Sequence, residues 1–226
     1  MSRENESKLS HAIFAAEALN DFRTVASVAP SSRYLVDAML RPLPLKHARV
    51  VVELGCGTGA MTRALLKAIP VTATLLAFEI NPRFTHYLKS ILSDPRLVLI
   101  DASAENTRSE LQRRGIERVD AVLSSLSLAF MPAPQRETFV SELGNLLDEQ
   151  GVLTQYHYVH GLQFQQGRLG RFDIAGLLRR HFRSVKRSIV WRNLPPAYVF
   201  VCREPIRSVT PHRSRGQLVP GAPATS

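Results

Sequence analysis

Three alternating glycines, Gly55, Gly57 and Gly59, follow an apolar run and a single acid, Glu53, in the stretch V-V-V-E-L-G-C-G-T-G-A that begins at Val50. No other feature constrains the chain as strongly. The β-branched residues predict a buried strand, and the segment from 61 to 68 continues as a helix. Glycine alone lets backbone take positive φ and pass close to a ligand, so strand, glycine turn and helix together describe a nucleotide-type pocket.

Two cofactors fit that turn. Gly55, Gly57 and Ala60 satisfy the dinucleotide fingerprint G-x-G-x-x-[G/A], in which helix amides face a pyrophosphate. The same residues form E-x-G-x-G-x-G, which resembles the first motif of the S-adenosylmethionine (SAM) dependent methyltransferases of Rossmann-like fold. Glu53 favours SAM, because that ligand's cationic ammonium needs an anion nearby whereas a pyrophosphate does not.

Further along the chain, the run from 74 to 80 reads as a second strand ending in Glu79 and Ile80, and Asn81-Pro82 opens a helix through about residue 92. A carboxylate roughly twenty residues beyond such glycines can accept both ribose hydroxyls. A third strand over 97 to 100 leads into Asp101 and Ala102, where an adenine edge would lie. Asp101 either accepts from the exocyclic amine or caps the following helix. A fourth strand over 119 to 123 runs into Ser124, which completes the expected cofactor set with Ile80 and Ala102. A helix over 134 to 147 and a fifth strand over 151 to 158 follow.

Strands and helices alternating at these lengths predict an α/β fold, a Rossmann-like doubly wound, mostly parallel sheet of seven strands with ligand at the carboxyl strand ends. After a helix over 172 to 181, two β-rich runs over 184 to 191 and 197 to 202 are joined by R-N-L-P-P. So short a link predicts a terminal antiparallel hairpin, which is foreign to the usual dinucleotide fold. The expected organisation is a helical appendage over 1–45, a cofactor-binding domain over 46–204, and a tail over 205–226 rich in Ser, Pro, Gly, Ala and Arg and expected to lack order. Within the appendage, Leu9, Ala12, Ile13, Ala15, Ala16, Leu19 and Phe22 give residues 8–26 one broad apolar helical face, suited to capping the domain or to lying on a membrane.

Charge is unevenly placed. Residues 168–226 hold twelve Lys and Arg against Asp173 and Glu204, a surplus equal to the whole-chain charge of +10, so residues 1–167 balance. The basic last quarter is either a solvated flank or a face for an anionic surface of lipid or nucleic acid. Cys56 and Cys202 are too few and too far apart for a disulfide framework or a zinc site, and no metal is expected. The start M-S-R-E-N-E-S-K lacks signal-peptide character and no apolar run is long enough to span a bilayer, which predicts a cytoplasmic protein.

Three further segments narrow the class. V-A-P-S-S-R at 28–33, S-S-L-S-L at 124–128 and W-R-N-L-P-P-A at 191–197 resemble the bacterial phospholipid N-methyltransferases, a likeness that runs from about residue 9 to 204. That resemblance implies SAM as cofactor and stepwise methylation of phosphatidylethanolamine towards phosphatidylcholine. It also implies a cytosolic, peripheral enzyme whose N-terminal amphipathic helix meets the bilayer, and a monomer on the anionic inner face of the cytoplasmic membrane is expected. Relatives acting on ornithine lipids remain open. RNA adenine methylation is the alternative, but such enzymes carry [D/N]-P-P-[F/Y/W] after the fourth strand, where this chain has Ser124-Ser125-Leu126-Ser127, so nucleic acid is disfavoured as a partner. A SAM-binding protein without catalysis is a third class.

An ethanolamine ammonium must lose a proton before it can attack, and Tyr156 and His157 are the candidate bases. Alternation along a strand places Tyr156 and Tyr158 on one face and His157 on the other, so at most one set lines the acceptor pocket. The two tyrosines are either core residues or aromatic walls for a cationic head group. Arg192, beside Trp191, is the candidate for a lipid phosphate, with Ser31, Ser32 and Arg33 as weaker ones.

Overall fold

The computed structural model describes residues 31–159, 162–165 and 168–207. The expected helix over 8–26 and the tail beyond 207 lie outside the described residues. Helix α1 (Arg33–Leu40) is capped by Ser32, whose hydroxyl accepts the Leu35 N–H at 3.2 Å. Its Leu35 and Met39 are fully buried, so this piece of the expected appendage is part of the core.

From there the chain alternates: β1 (Val50–Leu54), α2 (Ala60–Ala68), β2 (Thr74–Glu79), α3 (Pro82–Ile91), β3 (Leu97–Asp101), α4 (Thr107–Arg113), β4 (Val119–Ser124), α5 (Ala133–Leu146) and β5 (Leu147–Tyr158). A two-stranded antiparallel hairpin, β6 (Leu162–Gln165) and β7 (Arg168–Arg171), interrupts this pattern. Helix α6 (Ile174–His181), β8 (Phe182–Val190) and β9 (Ala197–Pro205) close the domain.

The main sheet has seven strands in the order β3-β2-β1-β4-β5-β9-β8. Its first five pair in parallel, and β9 runs antiparallel to both β5 and β8. This is the expected doubly wound sheet with its terminal hairpin. The small β6-β7 hairpin is not anticipated, because its four-residue strands carry too little apolar alternation to stand out. Strand β5 also begins four residues earlier than expected, and its register against β4 shifts between Val119 and Ala121.

Pleating sends alternate residues into two cores. Val52, Leu54, Leu76 and Phe78 pack with Phe139 and Leu143 of α5 and with Leu177 of α6. Val51 and Leu75 pack on the opposite face with Leu35 and Met39 of α1 and Leu65 of α2. Because β1 and β2 are buried on both faces, they read as continuous apolar runs. Their polar groups therefore fall at the carboxyl ends, where the sheet opens.

Candidate active site

The carboxyl ends of β1, β2 and β4 border one cleft, lined by Ser31, Gly55, Cys56, Gly57, Thr58, Ala60, Met61, Glu79, Phe84, Ser125 and Tyr156. A separate hollow between α3 and β3, lined among others by Leu88, Lys89 and Asp94, shares no residue with the glycine turn. The chemistry lies in the first.

Gly57 and Gly59 both hold left-handed backbone, at φ +51° and +78°. A Cβ on Gly59 would meet Leu88 Cδ2 at 2.4 Å, whereas one on Gly57 would meet nothing within 4 Å. Gly59 is thus needed for packing against α3, and Gly57 leaves the turn open on its ligand side. The loop after β4 closes over the turn, with Leu126 Cδ2 placed 3.1 Å from where a Gly55 Cβ would stand. Gln155 fixes that loop by donating its side-chain N–H to the Leu126 carbonyl at 2.9 Å.

Two carboxylates serve the turn in different ways. Glu79 accepts the Gly57 N–H at 2.8 Å through one oxygen and the Asn81 N–H at 2.9 Å through the other, tying β1's turn to the start of α3. Each oxygen keeps a lone pair that can accept a ribose hydroxyl. Glu53 is fully buried in β1 and neither of its oxygens has a hydrogen-bond partner, nor does the buried Thr62 hydroxyl. Burial pushes the Glu53 carboxyl up to about 7; the nearby Thr62 hydroxyl and amide offset part of that rise, and the Glu79 charge adds to it. An orphaned buried carboxylate below an open glycine turn fits a ligand that brings a positive charge.

The remaining expected residues divide. Asp101 pairs in register with Glu79 at the adjacent strand end and is exposed, with Ala102 beside it, but neither lines the cleft. Ile80 is 71% exposed and also stands outside the lining. Ser124 is fully buried, its hydroxyl accepting the Leu126 N–H at 3.4 Å, so the serine at the cleft is Ser125. Ser31 lines the cleft, while Ser32 is occupied as the α1 cap and donates its N–H to Asn193 Oδ1 at 3.0 Å.

The two candidate bases separate as alternation requires. Tyr156 faces the cleft, with Tyr158 stacked edge-on behind it at 5.4 Å. His157 points to the other side of the sheet, edge-on to Phe172 at 5.9 Å, and Phe172 in turn lies 4.4 Å beneath the Arg136 guanidinium. His157 is therefore corrected from cleft base to core residue. Burial and the adjacent Tyr158 push the Tyr156 hydroxyl well above its ordinary value, which keeps it protonated and removes it as a base too. What Tyr156 offers the cleft is an aromatic wall with a neutral hydroxyl.

Arg33 and Arg192, 159 positions apart, meet on one ring: their guanidinium carbons stand 4.8 and 4.5 Å from the Tyr34 centroid. Neither joins an ion pair among the described residues. Tyr34, Met61, Phe84, Ser125 and Gln155 are among the site residues that sequence reasoning misses. Phe84 follows Asn81-Pro82 within the first turn of α3, and that capping signal locates it once the strand end is known.

Residues 51–151 match a family model described as "Methyltransferase domain". Over that stretch the chain is similar to methyltransferases, and its seven-stranded sheet is the Rossmann-like methyltransferase fold. The glycine turn, the buried and unpaired Glu53 and the paired Glu79 fit SAM as a cofactor. An ornithine lipid N-methyltransferase of Singulisphaera acidiphila is 29% identical over 180 residues, covering 79% of this chain and 88% of that enzyme. A ribosomal RNA small subunit methyltransferase H of Caulobacter vibrioides is 28% identical over 182 residues; the match covers 72% of this chain, which spans 55% of that enzyme's length. Among solved structures, the 1,6-didemethyltoxoflavin-N1-methyltransferase of Burkholderia thailandensis superposes with a TM-score of 0.57 at 20% identity, covering 90% of this chain and 91% of that one. Among the described residues, no helix is long and apolar enough to cross a membrane.

Proposed function

We propose that the protein transfers methyl groups from SAM to the amine of a membrane lipid, phosphatidylethanolamine or an ornithine lipid, both of which carry an amine within a few bonds of an anionic group. The observation that carries the reading is the meeting of Arg33 and Arg192 on Tyr34, which follows Ser31 of the cleft by three residues in the chain. Two like charges held on one ring, with no ion pair to an acid among the described residues, suit a phosphate or carboxylate on the acceptor. The similarity to an ornithine lipid N-methyltransferase across most of both chains supports the same class.

Bound SAM supplies a methyl carried on a sulfonium sulfur. Glu79 and the glycine turn would hold the nucleoside, and the carboxylate of Glu53, buried in β1 outside the cleft lining, would balance the charge of the ammonium. Tyr156 and Ser125 border the place where the acceptor nitrogen arrives. There the amine lone pair would be aligned with the C–S bond of the methyl donor, so that transfer would leave a neutral thioether sulfur. With no base on the cleft face of β5, the ammonium proton leaves to water before the amine is seated. The work of the chain is alignment and exclusion of water. Tyr156 presents its ring to a nitrogen that becomes a fixed cation as methyls accumulate.

Head-group dependence tests the proposal. Vesicles containing phosphatidylethanolamine or ornithine lipid should take up labelled methyl from SAM, and the same lipids with the amine acetylated should take up none. Equal labelling of blocked and free lipids, or labelling of neither, refutes the reading.

A further inference from the structure

The β8–β9 connection exposes large apolar side chains where the sheet ends. Trp191 is 69% and Leu194 85% exposed, three residues apart on one tip. Between them Asn193 is buried and holds the tip rigid, accepting the Ser32 N–H through Oδ1 and donating through Nδ2 to the Pro195 carbonyl at 2.7 Å. The Pro196 carbonyl accepts the Val159 N–H at 2.9 Å, which fastens the tip to the end of β5 as well. Two aromatic or aliphatic side chains are thus presented to water by a scaffold that does not let them fold back.

Three observations name what covers them. First, residues 182–203 contain Arg183, Lys186, Arg187, Arg192 and Arg203 and no Asp or Glu, so the hairpin favours an anionic surface. Second, Pro195 and Pro196 remove two amide donors from the tip, which lessens the polar backbone to be desolvated in an apolar phase. Third, Asn193 is bonded to the residue next to Ser31, so the tip stands at the mouth of the methyl-transfer cleft. Tryptophan with arginine beside it suits the head-group boundary, where the ring is half apolar and the guanidinium meets phosphate.

We propose that this tip docks on an anionic phospholipid bilayer, with Trp191 and Leu194 entering the lipid and the cleft mouth brought level with the head groups. The inference rests on the lipid reading of the acceptor, and it deepens that reading by assigning the surface that delivers the substrate.

Trp191 is the only tryptophan of the chain, so its emission reports on the tip alone. Full-length protein should show blue-shifted emission with vesicles of phosphatidylglycerol and phosphatidylcholine, and quenching when their acyl chains are brominated. These vesicles contain no acceptor amine and the measurement needs no SAM, so failed methyl transfer leaves it unaffected. Leu194→Ser should weaken vesicle partition roughly tenfold with an unchanged thermal midpoint. Unaltered Trp191 emission in vesicle-bound protein overturns the proposal. So does an emission change with RNA and none with vesicles, which would mark the tip as a nucleic-acid contact.

Discussion

The Glu79 carboxylate holds the Gly57 amide at 2.8 Å, and through it the shape of the glycine turn. In the proposed reading the same residue also serves the ribose. Glu79→Ala should weaken SAM binding by about 1.5–3 kcal/mol, the range for hydrogen bonds to a charged group, and should also lower the melting temperature of the apo protein because two amides lose their acceptor. Glu79→Gln keeps one acceptor oxygen and should lose less of both. Titration calorimetry with SAM checks the series, and an unchanged dissociation constant in Glu79→Ala removes the residue from the ribose.

Glu53 makes stability and cofactor affinity depend on pH in opposite senses. Burial lifts its carboxyl from an ordinary 4.5 to about 7, so the folded chain holds this proton more tightly than the unfolded one. Its contribution is fully present below 4.5 and is lost as pH rises through about 7, a change of about 3 kcal/mol. A cationic ammonium beside the carboxylate favours its ionised form, so SAM affinity should climb across the same interval as stability falls. Glu53→Gln should flatten both curves. Apo unfolding midpoints and SAM titrations from about pH 5 to about pH 8 read the two effects, and parallel slopes in wild type and variant contradict the assignment.

Gly57 and Gly59, two of the three left-handed glycines of the turn, should fail differently. Gly59→Ala forces a methyl to 2.4 Å from Leu88 on top of its φ of +78°, and should cost more than about 2 kcal/mol of stability. Gly57→Ala meets no neighbour, so it should cost only the backbone strain of about 1 kcal/mol and still lose SAM affinity by narrowing the open side of the turn. Denaturant melts with SAM titrations separate the cases.

Tyr156 is expected to act through its ring. Tyr156→Phe should keep most of kcat/KM, because a hydroxyl that stays protonated gives no base. Tyr156→Ala should lose about tenfold or more, consistent with a desolvated cation–π contact of about 2 kcal/mol. A collapse in Tyr156→Phe comparable to that in Tyr156→Ala would return the hydroxyl to the chemistry.

What the sequence makes legible here is set by what lies close along the chain. The strand ends are readable because Glu53, the three glycines, Glu79 and Asp101 each punctuate an apolar run, and the terminal hairpin because its link is short. Facing is harder. Ser124 and Ser125 are indistinguishable as letters, and only the register of β4 buries the first and opens the second to the cleft. Likewise alternation says that Tyr156 and His157 part company, but the choice of side comes from α1 packing on one face and Phe172 on the other. The meeting of Arg33 with Arg192 and the bond from Ser32 to Asn193 are long-range contacts that no local pattern encodes.

The central claim is that the acceptor is a lipid amine. Full-length protein incubated with SAM in one vessel containing phosphatidylethanolamine, ornithine lipid and small-subunit ribosomal RNA tests it most directly, with lipid and RNA then separated and analysed by mass spectrometry. The account predicts methyl increments on an amine-bearing lipid and none on RNA; methylated RNA with unmodified lipid would contradict it.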